Sequence, residues 1–274
     1  MPVSYADYAN AVPSGIQALI SVLLTAGISV LLVGIFHKQL IQLAQEPERA
    51  EDETGPYIPA SYFLSGRIIQ VTSIAFVFLF GFTVSQFVIN TRSADEATQL
   101  EAQYWSRSMM TAESIPATSG GTDIVAALES YRTIVLEDEW PLMSRGDQLA
   151  AYDYQRQAAT QLTAATSTAQ DLGATETPGW DALTSSIDDL LTNGSNRISY
   201  VPSQSATNLI FAVVLLGSVS LAMTAIYQPA RRTINMVLIG IMGGVYGFMF
   251  YVVAELSNPY QGGGAIQSLL GFLN

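Results

Sequence analysis

The stretch IIQVTSIAFVFLFGFTVSQFVI, residues 68–89, is followed without a break by NTRSADEATQLEAQYW, residues 90–105. The first part holds no Asp, Glu, Lys, Arg or His. It is long enough to cross a bilayer, which takes about 20 apolar residues. The second part brings Arg92, Asp95, Glu96 and Glu101 in quick succession. A chain that changes character so abruptly is leaving lipid for water. Ser93, with Asp95 and Glu96 behind it, suits the first turn of a helix, where acids complement the N-terminal dipole. That helix reads to about Glu113, either starting at Ser93 or continuing the span.

Working outward, three further stretches are long and apolar enough to span: Gly15 to Phe36, Asn208 to Tyr227, and Thr233 to Ala254. None has an ionisable residue in its interior. The first is no cleavable signal peptide, because its flank lacks a basic region and its apolar run is too long. Composition agrees: 49% of residues are hydrophobic and only 12% are charged, about half the usual charged share of a soluble domain. The expected fold is all-α, a polytopic membrane protein with four transmembrane helices and a helical-bundle insert between helices two and three. Residues 1–89 form the N-terminal tail, two spans and an acidic loop; 90–207 form the soluble insert; 208–274 form two spans and the C-terminal tail.

The insert carries six arginines against sixteen acids. Ile115-Pro116 through Gly120-Gly121 reads as a break. Thr122-Asp123 is the expected cap of a second helix, with Ile124, Leu128, Tyr131 and Val135 at helical spacing, and Trp140-Pro141 its expected end. A third helix covers about Asp147 to Leu172. A fourth, with Trp180, Leu183, Ile187 and Leu191, is expected to stop at Asn193-Gly194, a common C-terminal signal. Short connections make this an antiparallel bundle.

Basic residues in short loops set orientation. Lys38, Arg49 and Arg67 lie between the first two spans, and Arg231 and Arg232 between the last two. Both loops are expected in the cytoplasm, with the insert and both termini outside.

Function is bounded mostly by exclusion. The net charge of −12 argues against nucleic acid, whose phosphates need clustered Lys and Arg. There is no cysteine and one histidine, His37, so disulfides, thiolate metal sites and most histidine chemistry fall away. GxSxG, phosphate-loop, dinucleotide and HExxH motifs are absent, and Gly262-Gly263-Gly264 lies in the tail. No enzymatic activity and no cofactor are expected. Coupled transport usually needs ionisable groups at the membrane midplane. A passive pore lined by Thr72, Ser73, Thr83, Ser85, Ser218, Ser220 and Asn235 stays open.

Two features stand out. Gly240, Gly243, Gly244 and Gly247 give span four overlapping small-xxx-small pairs, the pattern of close helix contact. Gly27 and Gly34 in span one are the expected receiving side. The contact serves either packing within the chain or a partner interface. The second feature is the acidic turn Glu137-Asp138-Glu139, with Trp140 and Pro141. Acids at a helix C-terminus oppose the dipole, so Glu139 is expected to pair with Arg132 or Arg145, with Arg156, a cation or a basic partner as other sources of compensation. Asp147 adds an oxygen, but the spacing matches no EF-hand. A salt-bridged turn fixing the bundle is the preferred reading.

Asp95, Glu96 and Glu101 after span two, Tyr131 followed by Glu139-Trp140-Pro141-x-Met143, and Asn258-Pro259-Tyr260-x-Gly262 after span four resemble the bacterial bestrophin-like domain family. Ser257 departs from the acid that the family often places two residues before that proline. The resemblance implies a membrane protein, and by name an anion channel with its inserted domain in the cytoplasm, opposite to the charge reading. Two functions are carried forward. One is a non-catalytic accessory subunit of a larger bacterial plasma-membrane assembly, such as a respiratory-chain supercomplex, whose partners are other membrane subunits, the lipid bilayer and a basic protein for the acidic insert. The other is a homo-oligomeric bestrophin-like ion channel.

Overall fold

The computed structural model describes residues 14–44, 60–202, 204–227 and 232–261. Arg49, Arg231, Gly262-Gly263-Gly264 and the tail 1–13 lie outside them. Among the described residues the protein is all-helical, without a strand. The main helices are α1 (Ser14–Ala44), α2 (Ala60–Ala112), α3 (Gly121–Thr133), α4 (Trp140–Ser144), α5 (Gln148–Asp171), α6 (Trp180–Ser199), α7 (Gln204–Tyr227) and α8 (Arg232–Ser257). Apolar stretches long enough to cross a membrane lie in α1, α2, α7 and α8.

The chain divides into two compact units. Among the described residues, the membrane unit takes in α1, α2 up to Phe87, α7, and α8 up to Glu255; the head takes in α2 from Val88, α3 to α6, and the segment from Leu256 to Gln261. Helix α2 belongs to both. It runs 53 residues without interruption, far beyond what a bilayer requires. Ser93, Asp95 and Glu96 therefore lie inside a continuous helix and cap nothing: of the two readings, the helix continues the span rather than starting at Ser93.

In the membrane unit, Phe76 of α2 meets Tyr246 of α8 edge-on at 4.7 Å. Ser73 and Ser220 share a hydrogen bond of 3.0 Å, and Ser220 a second with the Tyr246 hydroxyl at 3.1 Å. Large apolar side chains, among them Leu23, Leu31, Ile74, Phe78, Phe211 and Ile241, are exposed, as they must be in a unit whose solvent is hydrocarbon.

In the head, Ile124, Leu128, Val135, Leu162, Leu183 and Leu190 form a buried core. The break at Gly120-Gly121 has a steric cause. Gly120 sits in the left-handed region at φ 82° and is itself the N-cap of α3, so Thr122-Asp123 does not cap that helix. A Cβ at Gly120 would meet Ala169, and one at Gly121 would collide with the Ile115 carbonyl. Asp147 caps α5, its carboxylate accepting the Ala150 N–H at 3.2 Å. Such a cap is worth about 1 kcal/mol.

Two expected helix ends are overturned. Trp140-Pro141 does not end the second insert helix: after Thr133 the backbone widens into a π turn, Ile134–Glu139, and continues as α4. Pro141 falls in the first turn of α4, where its missing N–H is harmless. Nor does Asn193-Gly194 end the fourth, since α6 continues to Ser199.

Candidate functional site

Helix α6 presents Trp180, Leu183, Ile187, Leu190, Gly194, Arg197 and Ile198 as its buried stripe. Arg197 is thus carried into the head by the same periodicity that buries leucines. Its guanidinium is fully buried, which is tolerable only when its charge and donors are matched.

They are matched by two carboxylates from distant parts of the chain. Nε donates to Glu101 Oε2 at 2.5 Å, and Nη2 to Glu101 Oε1 at 3.2 Å. Nη2 also donates to Glu139 Oε2 at 2.6 Å. Nη1 reaches the Met143 sulfur at 3.3 Å. Tyr131 closes the far side, its hydroxyl donating to Glu101 Oε1 at 2.6 Å and accepting from Gln155 Nε2 at 3.3 Å. The Trp140 ring lies 5.9 Å from the guanidinium. The segment after α8 is fastened to the same residue: the Tyr260 hydroxyl donates to the Arg197 carbonyl at 2.5 Å, and Asn258 Nδ2 donates to the Met143 carbonyl at 3.1 Å.

The electrostatics follow from burial. Glu101 and Glu139 are both 0% exposed, and the two of them face one arginine. Desolvation pushes the Glu139 carboxyl up from its ordinary value to about 7, against the pull of Arg197. Burial likewise raises Tyr131, with Glu101 and Glu139 adding to the effect, and raises Tyr260. Arg197 is held more firmly protonated than usual, its two carboxylates outweighing desolvation.

The acidic turn is salt-bridged to an arginine of the bundle, as expected, but the arginine is not one of those expected. Glu137 is exposed, Asp138 half-buried and Glu139 buried. Glu139 pairs with neither Arg132 nor Arg145 but with Arg197. Arg132 instead pairs with Glu129 at 3.6 Å and lies 5.3 Å from the Trp105 ring; Arg145 is exposed at the end of α4, and Arg156 pairs with Asp153 at the surface. Gly194 has a role that sequence reasoning missed: a Cβ there would strike Gln155 Nε2 and the Tyr131 hydroxyl and come within 3.0 Å of Glu101 Oε1. Among the described residues no group of three or more His, Asp and Glu is gathered as for a metal ion.

The glycines of α8 lie against α1 in the membrane unit. A Cβ at Gly243 would meet the Ser29 side chain and the Thr25 carbonyl, and one at Gly247 would meet Ser21 and Thr25. The Ser21 hydroxyl donates to the Gly247 carbonyl at 2.8 Å. Thr25 and Ser29 turn their hydroxyls onto their own helix. The receiving surface is this stripe of small hydroxyl residues. At Gly27 a Cβ would meet nothing within 4 Å, and at Gly34 only the Met236 methyl at 3.9 Å. Gly240 and Gly244 border a groove with Val22, Ala26, Val30 and Phe248. The candidate pore hydroxyls Thr72, Thr83 and Ser218 donate to their own helices, and Ser73 and Ser220 are engaged with one another.

A span-rich chain with a helical head around one buried arginine is a polytopic helical membrane protein. It matches the Bestrophin-like domain family over residues 64–269, most of its length, and belongs to that family. Comparison with curated proteins and with solved structures gave no match. Of the residues that carried the resemblance, Glu101, Tyr131, Glu139, Trp140, Met143 and Tyr260 gather around Arg197 and Asn258 is fastened to Met143, whereas Asp95 bonds Gln99 at the surface and Glu96 is exposed.

Proposed function

We propose that the protein is a non-catalytic membrane subunit that assembles with other membrane helices along the open side of α1 and α8. The observation that carries this reading is the division of labour among the α8 glycines. Gly240, Gly243 and Gly247 are closed off by α1 of the same chain, a Cβ at Gly240 lying 2.9 Å from Val30, whereas Gly244 is in ordinary contact with Val22 and Ala26 and borders an apolar groove. A helix laid there approaches backbone closely and gains dispersion contacts that lipid does not match. No catalytic role is proposed for the head cluster, whose carboxylates are sealed from solvent and bound to Arg197. The assembly is proposed without a named partner, since neither the helices nor the family match points to a respiratory chain. An acidic head also suits a basic partner protein.

The two glycine environments give the test. A Cβ at Gly244 meets only Val22 at 3.4 Å and Ala26 at 3.9 Å, so leucine at this position is accommodated by the groove. Gly244→Leu should insert at normal levels but copurify with its partners several-fold less, read by tagging the chain and quantifying companions by mass spectrometry. Gly243→Leu, aimed at Ser29, should lower the level of the chain itself. Companions of unlike sequence, lost in Gly244→Leu, support the subunit reading. Recovery of copies of this chain alone would favour the ion channel suggested by the family name. Unchanged copurification in Gly244→Leu would overturn both interfaces.

The plasma-membrane orientation with the head outside rests on the loop charges. Thr118 is exposed in the head, and Ser61 precedes span two. In this cysteine-free chain, Thr118→Cys should react with an impermeant thiol reagent in intact cells and Ser61→Cys should not. The opposite pattern would place the head in the cytoplasm.

A further inference from the structure

The head buries two carboxylates against one guanidinium, so a fully ionised cluster carries one uncompensated negative charge away from water. Glu101 is well supplied, accepting from Arg197 Nε, Arg197 Nη2 and Tyr131. Glu139 is not. Its Oε2 takes one Arg197 donor, while its Oε1 is buried with no hydrogen-bond partner. An ionised carboxylate oxygen in that position is costly. A protonated one removes the excess charge and turns the orphan acceptor into a donor. Gln155 Oε1, in the same cluster, is a buried acceptor that also takes no hydrogen bond.

We propose that Glu139 is a proton-binding site, filled when the head is fully closed and emptied as pH rises, and that loss of the proton loosens the join of α6 and the Asn258–Tyr260 segment to the rest of the head. The coupling is direct. Arg197 holds Glu139 through its guanidinium and Tyr260 through its carbonyl, and Asn258 holds the Met143 carbonyl four residues beyond Glu139. The groups facing Glu139 are Glu101 from α2, Tyr131 from α3, Arg197 from α6 and Asp138 from its own turn. Gln155 from α5 and Met143 from α4 are uncharged. Both tyrosines are pushed upward by burial and stay neutral, and Arg197 stays charged; of the two carboxylates, only Glu139 has an oxygen without a donor, which makes it the place for the proton.

The sign follows from linkage. Glu139 holds its proton more tightly folded, at about 7, than unfolded, at 4.5. The folded state therefore binds more protons in that interval, and stability falls as pH rises through it. All three tryptophans, Trp105, Trp140 and Trp180, lie in the head, so their fluorescence reports that unit in the detergent-solubilised full chain. The wild-type melting temperature should fall by several degrees between about pH 5 and about pH 8. Glu139→Gln, which keeps the neutral shape, should melt at the higher pH about as high as wild type at the lower, with the slope gone. The comparison also removes any contribution of His37 on α1. A wild-type melt that does not fall, or a Glu139→Gln slope equal to wild type, would overturn the proposal. Infrared spectroscopy gives a reading that needs no variant: a buried carboxylic-acid carbonyl band should be present at about pH 5.5 and absent at about pH 8.5. Its absence at the lower pH would overturn the proposal as well.

Discussion

Replacing Arg197 with methionine should leave the head unfolded or close to it, with a loss of about 3–5 kcal/mol. A domain has about 5–15 kcal/mol of total stability, so one substitution removes much of the margin. The loss does not come from the attraction itself, which desolvation of the buried ionisable groups largely offsets. It comes from stranding Glu101 and Glu139 in the interior without the donors that Arg197 supplies. Arg197→Lys should recover little of it. A single ammonium lacks the planar fork that serves two carboxylates and the Met143 sulfur together. Tryptophan fluorescence during chemical denaturation reads the result, and a wild-type midpoint for Arg197→Met would refute the reading.

Gly194→Val should be the next most damaging change, and its sign runs against helix propensity. In an open helix, removing glycine in favour of alanine gains about 1 kcal/mol. At Gly194 the new Cβ enters space held by Gln155, Tyr131 and Glu101. These are the pinned atoms of the ion cluster rather than free side-chain ends, so relief requires moving the Tyr131 ring or breaking its bond to Glu101. Overpacking of this kind costs about 1–3 kcal/mol, and a lost hydrogen bond to a charged group adds about 1.5–3 kcal/mol. Gly194→Ala should therefore destabilise the head in spite of propensity, and Gly194→Val more so. Denaturation midpoints in the order wild type, alanine, valine would bear this out; an alanine variant more stable than wild type would not.

These two residues also mark where the sequence could be read and where it could not. The spans were legible because membrane crossing is set by the length of apolar runs, a one-dimensional property. The core of α3 was legible from the spacing of Ile124, Leu128, Tyr131 and Val135. Gly194 was misread because glycine both ends helices and makes room inside them, and its neighbour Asn193 favours the first meaning. Ending the helix there hid Arg197. Had the stripe through Trp180, Leu183 and Ile187 been continued, positions 194 and 197 would have fallen on the buried face. An arginine on such a face calls for acids. Choosing Arg132 or Arg145 for Glu139 relied on nearness along the chain, whereas the bundle brings in a partner 58 residues away. The α8 glycines were legible as a close contact. That α1 answers with Ser21, Thr25 and Ser29 rather than Gly27 was not, because hydroxyls folded back onto their own backbone behave as small residues only once the helix exists.

The claim that the head is organised by one charge-compensated cluster is tested most directly by a variant that replaces all three ionisable members at once. Arg197→Met combined with Glu101→Gln and Glu139→Gln leaves no buried charge and keeps near-native volume. Replacing a whole buried ion cluster by neutral groups is often close to neutral, unlike removing one member. The denaturation midpoint of the triple variant should thus recover about half or more of what Arg197→Met alone loses. A triple variant no more stable than Arg197→Met would mean that Arg197 matters for its packing rather than its charge, and would contradict the account.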